Sequence, residues 1–151
     1  LAKELIETSQ NNNCNLILPT DFIVSKNLKK NAEYTTANFD SLPDNMMALD
    51  IGPKSIELIN KNINNCKTIL WNGPLGAFET CPFDKGTNKV ASYVSSLTKQ
   101  KKILSVAGGG DTVSALNNAK VLNDFSYVST AGGAFLEWLE GKVLPGIEPI
   151  S

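Results

Sequence analysis

Four times along the sequence, a short apolar run gives way to a loop containing glycine and then to apolar residues at helical spacing. Ala48 to Ile51 lead through Gly52 and Pro53 into Ile56, Leu58, Ile59 and Ile63. Thr68 to Trp71 lead through a long loop into Val90, Tyr93, Val94 and Leu97, on a helix from about Gly86 to Gln100. Ile103 to Ala107 end in a glycine turn before a helix from Asp111 to about Ala119, and Tyr127 and Val128 precede a helix from Gly132 to Glu140. Short, continuously apolar strands are buried on both sides, and their alternation with amphipathic helices implies right-handed crossovers. The pattern predicts an α/β fold, doubly wound and Rossmann-like, with a mainly parallel sheet and helices on both faces.

The stretch before this repeating unit is less regular. Leu1, Leu5 and Ile6 predict an amphipathic helix ended by Asn11, Asn12 and Asn13. Leu16 to Leu18 and Phe22 to Val24 predict a buried strand interrupted at Pro19, and residues 25–47 read as polar and irregular. A chain of 151 residues encloses one core, so one domain is expected. With 42% hydrophobic and 19% charged residues and a net charge of -1, the composition is that of a soluble globular protein without a nucleic-acid footprint. The apolar runs are far shorter than the ~20 residues of a membrane span. The start, Leu-Ala-Lys-Glu, has no initiating Met and no signal-peptide pattern, so the chain reads as an excised piece. Cys14, Cys66 and Cys81 are widely spaced and His is absent, which argues against a disulfide framework and against a Cys/His metal site. Any metal is expected to be held by oxygen. The lack of an Asn-x-Ser/Thr sequon is compatible with a cytoplasmic location.

In a doubly wound sheet the strand C-termini share one edge, and ligands bind in the crevice there. Three loops at that edge are glycine-rich: residues 71–79 (WNGPLGAFE), 108–112 (GGGDT) and 129–134 (STAGGA), with the plainer 49–53 (LDIGP) beside them. Glycine lets backbone N–H groups approach a phosphate, and a helix starting there adds the positive end of its dipole. Each loop also has a plain structural reading. Gly108, Gly109 and Gly110 would form a strand-to-helix turn with Asp111 or Thr112 as N-cap, and Gly132 and Gly133 would serve close packing. Two such loops on one edge favour an anion. Neither a P-loop nor a dinucleotide fingerprint occurs. Asp111 suits Mg²⁺, which takes one or two carboxylates with phosphate oxygens and water, and it equally suits helix capping. Glu79 suits ribose hydroxyls as an acceptor or, by default, a solvated surface. Trp71 and Phe78 read as core aromatics, and Leu144-Pro145-Gly146 as a turn.

Taken in order, LPTDF (18–22), LDIGPKS (49–55), WNGPLGAFE (71–79), GGGDT (108–112) and STAGGAFLEWLEGKVLPG (129–146) resemble the phosphoglycerate kinase family across essentially the whole chain. The resemblance implies the C-terminal part of a nucleotide-binding domain, incomplete relative to the full domain, at residues 1–151. By that resemblance MgATP or MgADP would lie across the strand ends. Leu49 and Pro74 would line the adenine pocket, Glu79 would bind the ribose, and Asn72 would contact the phosphates. The backbone of Gly108, Gly109 and Gly110 with Thr112 would hold the phosphates, Asp111 would bind Mg²⁺, and Gly132 and Gly133 would stabilise the transferring phosphoryl group. The implied reaction is reversible transfer between ATP and the carboxylate of 3-phosphoglycerate, giving ADP and 1,3-bisphosphoglycerate, in a cytoplasmic and monomeric enzyme.

Two departures from the family pattern carry expectations. Ala131 stands where the family commonly has glycine, and tolerance is expected. The N-terminal domain that would bind 3-phosphoglycerate is absent, every basic residue is Lys, and this chain alone is expected to have no kinase activity. The tail 147–151 would lack its packing partner. A stand-alone nucleotide-binding module and a nicotinamide-dependent oxidoreductase on a similar sheet are the competing readings, the second weakened by the missing fingerprint.

Overall fold

The computed structural model describes residues 1–129 and 131–145. The expected turn at 144–146 and tail at 147–151 therefore lie partly or wholly outside the described residues. Helix α1 (Ala2–Asn11) is followed by three strands, β1 (Asp21–Ser25), β2 (Thr35–Asn38) and β3 (Met47–Ile51), and by helix α2 (Pro53–Ile63). In the rest, strands and α-helices alternate: β4 (Thr68–Trp71), α3 (Lys85–Lys99), β5 (Leu104–Gly108), α4 (Gly110–Asn118), β6 (Tyr127–Ser129) and α5 (Gly132–Leu139), with a short 3-10 turn at Leu122–Asp124 before β6.

The expected parallel α/β sheet is formed by β4, β5 and β6, with β5 central. Trp71 pairs with Ala107 and Ala107 with Val128, while Gly108 pairs with Ser129, so the strand ends lie level along one edge. Alternate side chains point to opposite faces. Ile69, Trp71, Ala107 and Val128 point into the main core, where they meet Ile63, Val90, Val94, Leu97, Leu116 and Phe125 from the helices and loops. Trp71 packs edge-on against Phe125, with ring centroids 6.2 Å apart. On the opposite face Phe135 of α5 approaches Gly108, while Leu70, Leu104 and Tyr127 are exposed.

The first half departs from its expected layout. β1, β2 and β3 form a separate antiparallel sheet in the order β2-β1-β3, with Phe22 opposite both Ala37 and Ile51. The run Leu16 to Leu18 is not a strand, and Leu16 and Leu18 are exposed. Apolar composition favours a strand only where neighbouring backbone accepts its hydrogen bonds. Conversely, residues 35–38, read as irregular, pair along β1 despite being polar.

A buried carboxylate anchors this sheet to the helix beyond it. Asp21, 1% exposed, accepts hydrogen bonds from the Ser55 amide (2.7 Å), the Ser55 hydroxyl (2.7 Å) and the Lys54 amide (3.0 Å). These groups open α2, so Asp21 caps that helix from a different strand. Burial alone would raise the Asp21 pKa; the hydrogen bonds from Ser55 and Lys54, with the Lys54 charge, outweigh it and hold the carboxyl below its usual 3.8.

Candidate functional site

The ends of β4, β5 and β6 deliver three loops to one place, and their mutual contacts are backbone-close. The Gly73 amide, just past β4, donates to the Thr112 hydroxyl in the first turn of α4 at 2.7 Å. The Gly109 amide donates to the Ser129 carbonyl at 3.2 Å, tying the turn after β5 to the end of β6. A Cβ placed on Gly132 would lie 2.6 Å from the Gly109 Cα, so glycine is required for the α4 and α5 starts to approach this closely. Gly109 itself has φ +98°, a backbone region that favours glycine. The side-chain oxygen of Asn72 stands 3.7 Å from the position a Gly109 Cβ would take. Asn72, Gly73, Gly108, Gly109, Thr112 and Gly132 thus form one cluster.

Two helix N-termini open at this cluster, α4 from Gly110 and α5 from Gly132. The first amides of a helix have no intrahelical acceptor and carry the positive end of the dipole. Space is open above Gly110 and Gly133, where an added Cβ meets nothing within 4 Å. Asp111, in the first turn of α4, is exposed beside that space. Thr112 is 1% exposed, and its hydroxyl is engaged by the Gly73 amide. It therefore locks two loops together besides standing next to the opening. Ala131 has φ -91° and ψ 67°, a conformation open to a residue with a side chain, and its amide donates to the Ser129 hydroxyl at 3.2 Å.

Pro74 and Glu79 lie further along the 72–84 loop, and Leu49 lies in β3 beside it. The Leu49 carbonyl accepts the Ala77 amide at 2.8 Å, and the Leu75 amide donates to the buried Thr87 hydroxyl at 3.0 Å. Pro74 is half-buried, and Glu79 is exposed in a cleft of 470 Å³ that it shares with Lys29, Lys30, Phe78, Thr80, Cys81, Asp84 and Asn118. The described contacts do not join Glu79 directly to the glycine cluster. A larger cavity of 610 Å³, between Val24 and Thr35 and reaching Met46, contains none of the expected site residues.

Among the described residues no three Cys, Asp or Glu side chains converge as a metal cage. A lone exposed carboxylate such as Asp111 fits an ion that arrives on phosphate oxygens and keeps most of its water. No helix among the described residues is long and apolar enough to cross a membrane.

Comparison with known proteins decides the family. The family model described as phosphoglycerate kinase matches residues 1–142. The chain belongs to the phosphoglycerate kinase family. A phosphoglycerate kinase of Methylorubrum extorquens (strain PA1) is 54% identical over 149 residues, 99% of this chain and 37% of the relative. That of Chelativorans sp. (strain BNC1) is 51% identical over 146 residues, again 37% of its length. The solved phosphoglycerate kinase from Coxiella burnetii superposes with a TM-score of 0.89 at 41% identity, covering 97% of this chain and 37% of that one. The chain spans just over one third of the length of these three relatives.

The sequence assigns no site role of their own to Asp50, Gly73, Gly76 or Gly86. Gly73 and Gly76 belong to the WNGPLGAFE loop, whose local signal was taken up by Asn72, Pro74 and Glu79. Asp50 sits in an apolar strand, and an Asp there is itself a signal, because an unpaired buried carboxylate is costly.

Proposed function

We propose that this chain supplies part of the MgATP/MgADP site of a phosphoglycerate kinase, as the C-terminal part of its nucleotide-binding domain. The enzyme transfers a phosphoryl group reversibly between ATP and the carboxylate of 3-phosphoglycerate, as a monomer in the cytoplasm. The observation that carries this reading is the close approach of Gly132 to Gly109, which brings two helix N-termini to one point beside Asn72.

In the forward direction of this reading a carboxylate oxygen of 3-phosphoglycerate attacks the γ-phosphorus in line, an O–P bond forms, and the bond to the ADP oxygen breaks. No proton needs to move. Positioning and charge stabilisation then account for catalysis. The first-turn amides at Gly110 and at Gly132 and Gly133 point positive dipole ends towards the phosphates, where negative charge spreads over the equatorial oxygens. Asn72 contacts the phosphates, and the backbone from Gly108 to Gly110 with Thr112 shapes their cradle. Asp111 would hold Mg²⁺, which when bound neutralises phosphate charge. Leu49 and Pro74 contact the base and Glu79 accepts from the ribose hydroxyls.

The substrate that receives the phosphoryl group would be bound by the part of the protein outside this chain. The whole protein is expected to turn over MgATP and 3-phosphoglycerate in a coupled assay, and residues 1–151 alone to turn over neither. Turnover by the isolated chain would contradict this division of labour.

A further inference from the structure

Asp50 is a buried carboxylate to which the reading above gives no role. It is 3% exposed and lies at the end of β3, beside Leu49. Its two oxygens accept the Gly86 amide at 2.6 Å and the Ile51 amide at 2.8 Å. Gly86 lies in the first turn of α3, so the carboxylate caps that helix from another strand, as Asp21 caps α2. The pocket around it is built from absent side chains. A Cβ on either Gly76 or Gly86 would collide with the Asp50 carboxylate.

Both ends of one loop segment are thereby fastened to the same short piece of β3. The Leu49 carbonyl holds Ala77, and the Asp50 carboxylate holds Gly86. Between them the Thr80 amide donates to the Ala77 carbonyl at 2.9 Å and the Phe83 amide to the Thr80 carbonyl at 2.8 Å. Phe83, fully buried, closes the segment on the protein side, while Glu79 faces the cleft on the other. We propose that Asp50 is a positioning residue for nucleotide recognition: its carboxylate fixes the 76–86 segment in the shape that presents Glu79 to the ribose. The proposal rests on the nucleotide-site reading of Glu79. Burial raises the Asp50 pKa, the Gly86 and Ile51 amides oppose that rise and the Asp84 charge adds to it; the net result is about 6, so the charge is retained at neutral pH against a desolvation cost.

Asp50→Asn keeps the side-chain shape while replacing an acceptor-only group by one that turns an N–H₂ towards a backbone amide. MgADP affinity is measured by calorimetry for the wild-type chain, Asp50→Asn, Glu79→Gln and the double variant. Each single variant is expected to weaken MgADP roughly tenfold, and the double variant by far less than the ~100-fold product, because both act on one contact. Magnesium 2′,3′-dideoxy-ADP, which lacks the hydroxyls, is expected to be insensitive to Glu79→Gln and much less sensitive to Asp50→Asn. A folded Asp50→Asn chain with wild-type affinity, or penalties that multiply in full, overturns the role of Asp50 and leaves the ribose reading intact. A Glu79→Gln chain with unchanged affinity removes the ribose reading and this proposal with it. If Asp50→Asn does not fold, hydrogen exchange in the wild-type chain decides. By reciprocity of coupled equilibria, saturating MgADP should slow the Gly86 amide more than the Val94 amide further along α3. Equal slowing overturns the proposal.

Discussion

Gly132 stands against Gly109 so closely that an added Cβ would come within 2.6 Å of one backbone atom and 2.9 Å of another. Backbone cannot swing aside as a side chain can, so Gly132→Ala must separate the starts of α4 and α5. Overpacking of this kind typically costs ~1–3 kcal/mol. A urea titration is expected to register that loss together with at least a tenfold fall in MgADP affinity. Gly133→Ala, where a Cβ meets nothing within 4 Å, is expected to leave stability near wild type. Equal effects of the two substitutions would show that the approach is not what the site depends on.

The hydrogen bond from Gly73 to Thr112 is the second tie between loops. Thr112→Val preserves shape but leaves the part-buried Gly73 amide without its acceptor, at a cost of about 1 kcal/mol. Thr112→Ser retains the hydroxyl and is expected to lose far less. Thermal unfolding of the two variants checks this directly, and a Thr112→Val chain as stable as Thr112→Ser would contradict it.

These two ties explain how far the sequence alone reached. The strand ends at Trp71 and Ala107, and the helices after them, were legible because each apolar run is bounded by glycine and each helix keeps its apolar period. The site residues were legible as loops on one edge for the same reason. Their distances were not, because the approach of Gly132 to Gly109 is set by the register of β5 against β6, with Gly108 paired to Ser129. β2 was missed since Thr35 to Asn38 carry no apolar alternation and become a strand only by pairing with β1. Leu16 to Leu18 misled in the opposite sense, being apolar without a partner strand among the described residues. Asp50 escaped notice because its donor, Gly86, lies 36 residues away.

Asp50 also gives a pH dependence whose sign follows from its surroundings. Its pKa in the folded chain, about 6, lies above the ordinary 3.8, so between those values the folded state holds a proton that the unfolded chain has released. The associated stability is complete below about 3.8 and is lost as pH rises through about 6, with a size on the order of 3 kcal/mol. Asp21, held below its usual value, works in the opposite direction, so the comparison must be made against Asp50→Asn, in which Asp21 is unchanged. Wild-type stability relative to Asp50→Asn is expected to increase as pH falls from 7.5 to 4.5, by urea titration at each pH. A difference that does not move with pH would contradict the raised value.

The central claim is that three strand-end loops form part of a site for magnesium adenine nucleotide. Its most direct test is calorimetric titration of residues 1–151 with MgADP and, separately, with NAD. The account requires MgADP to bind in preference to NAD and Gly132→Ala to weaken that binding. Preference for NAD, or MgADP binding that Gly132→Ala leaves unchanged, would contradict it.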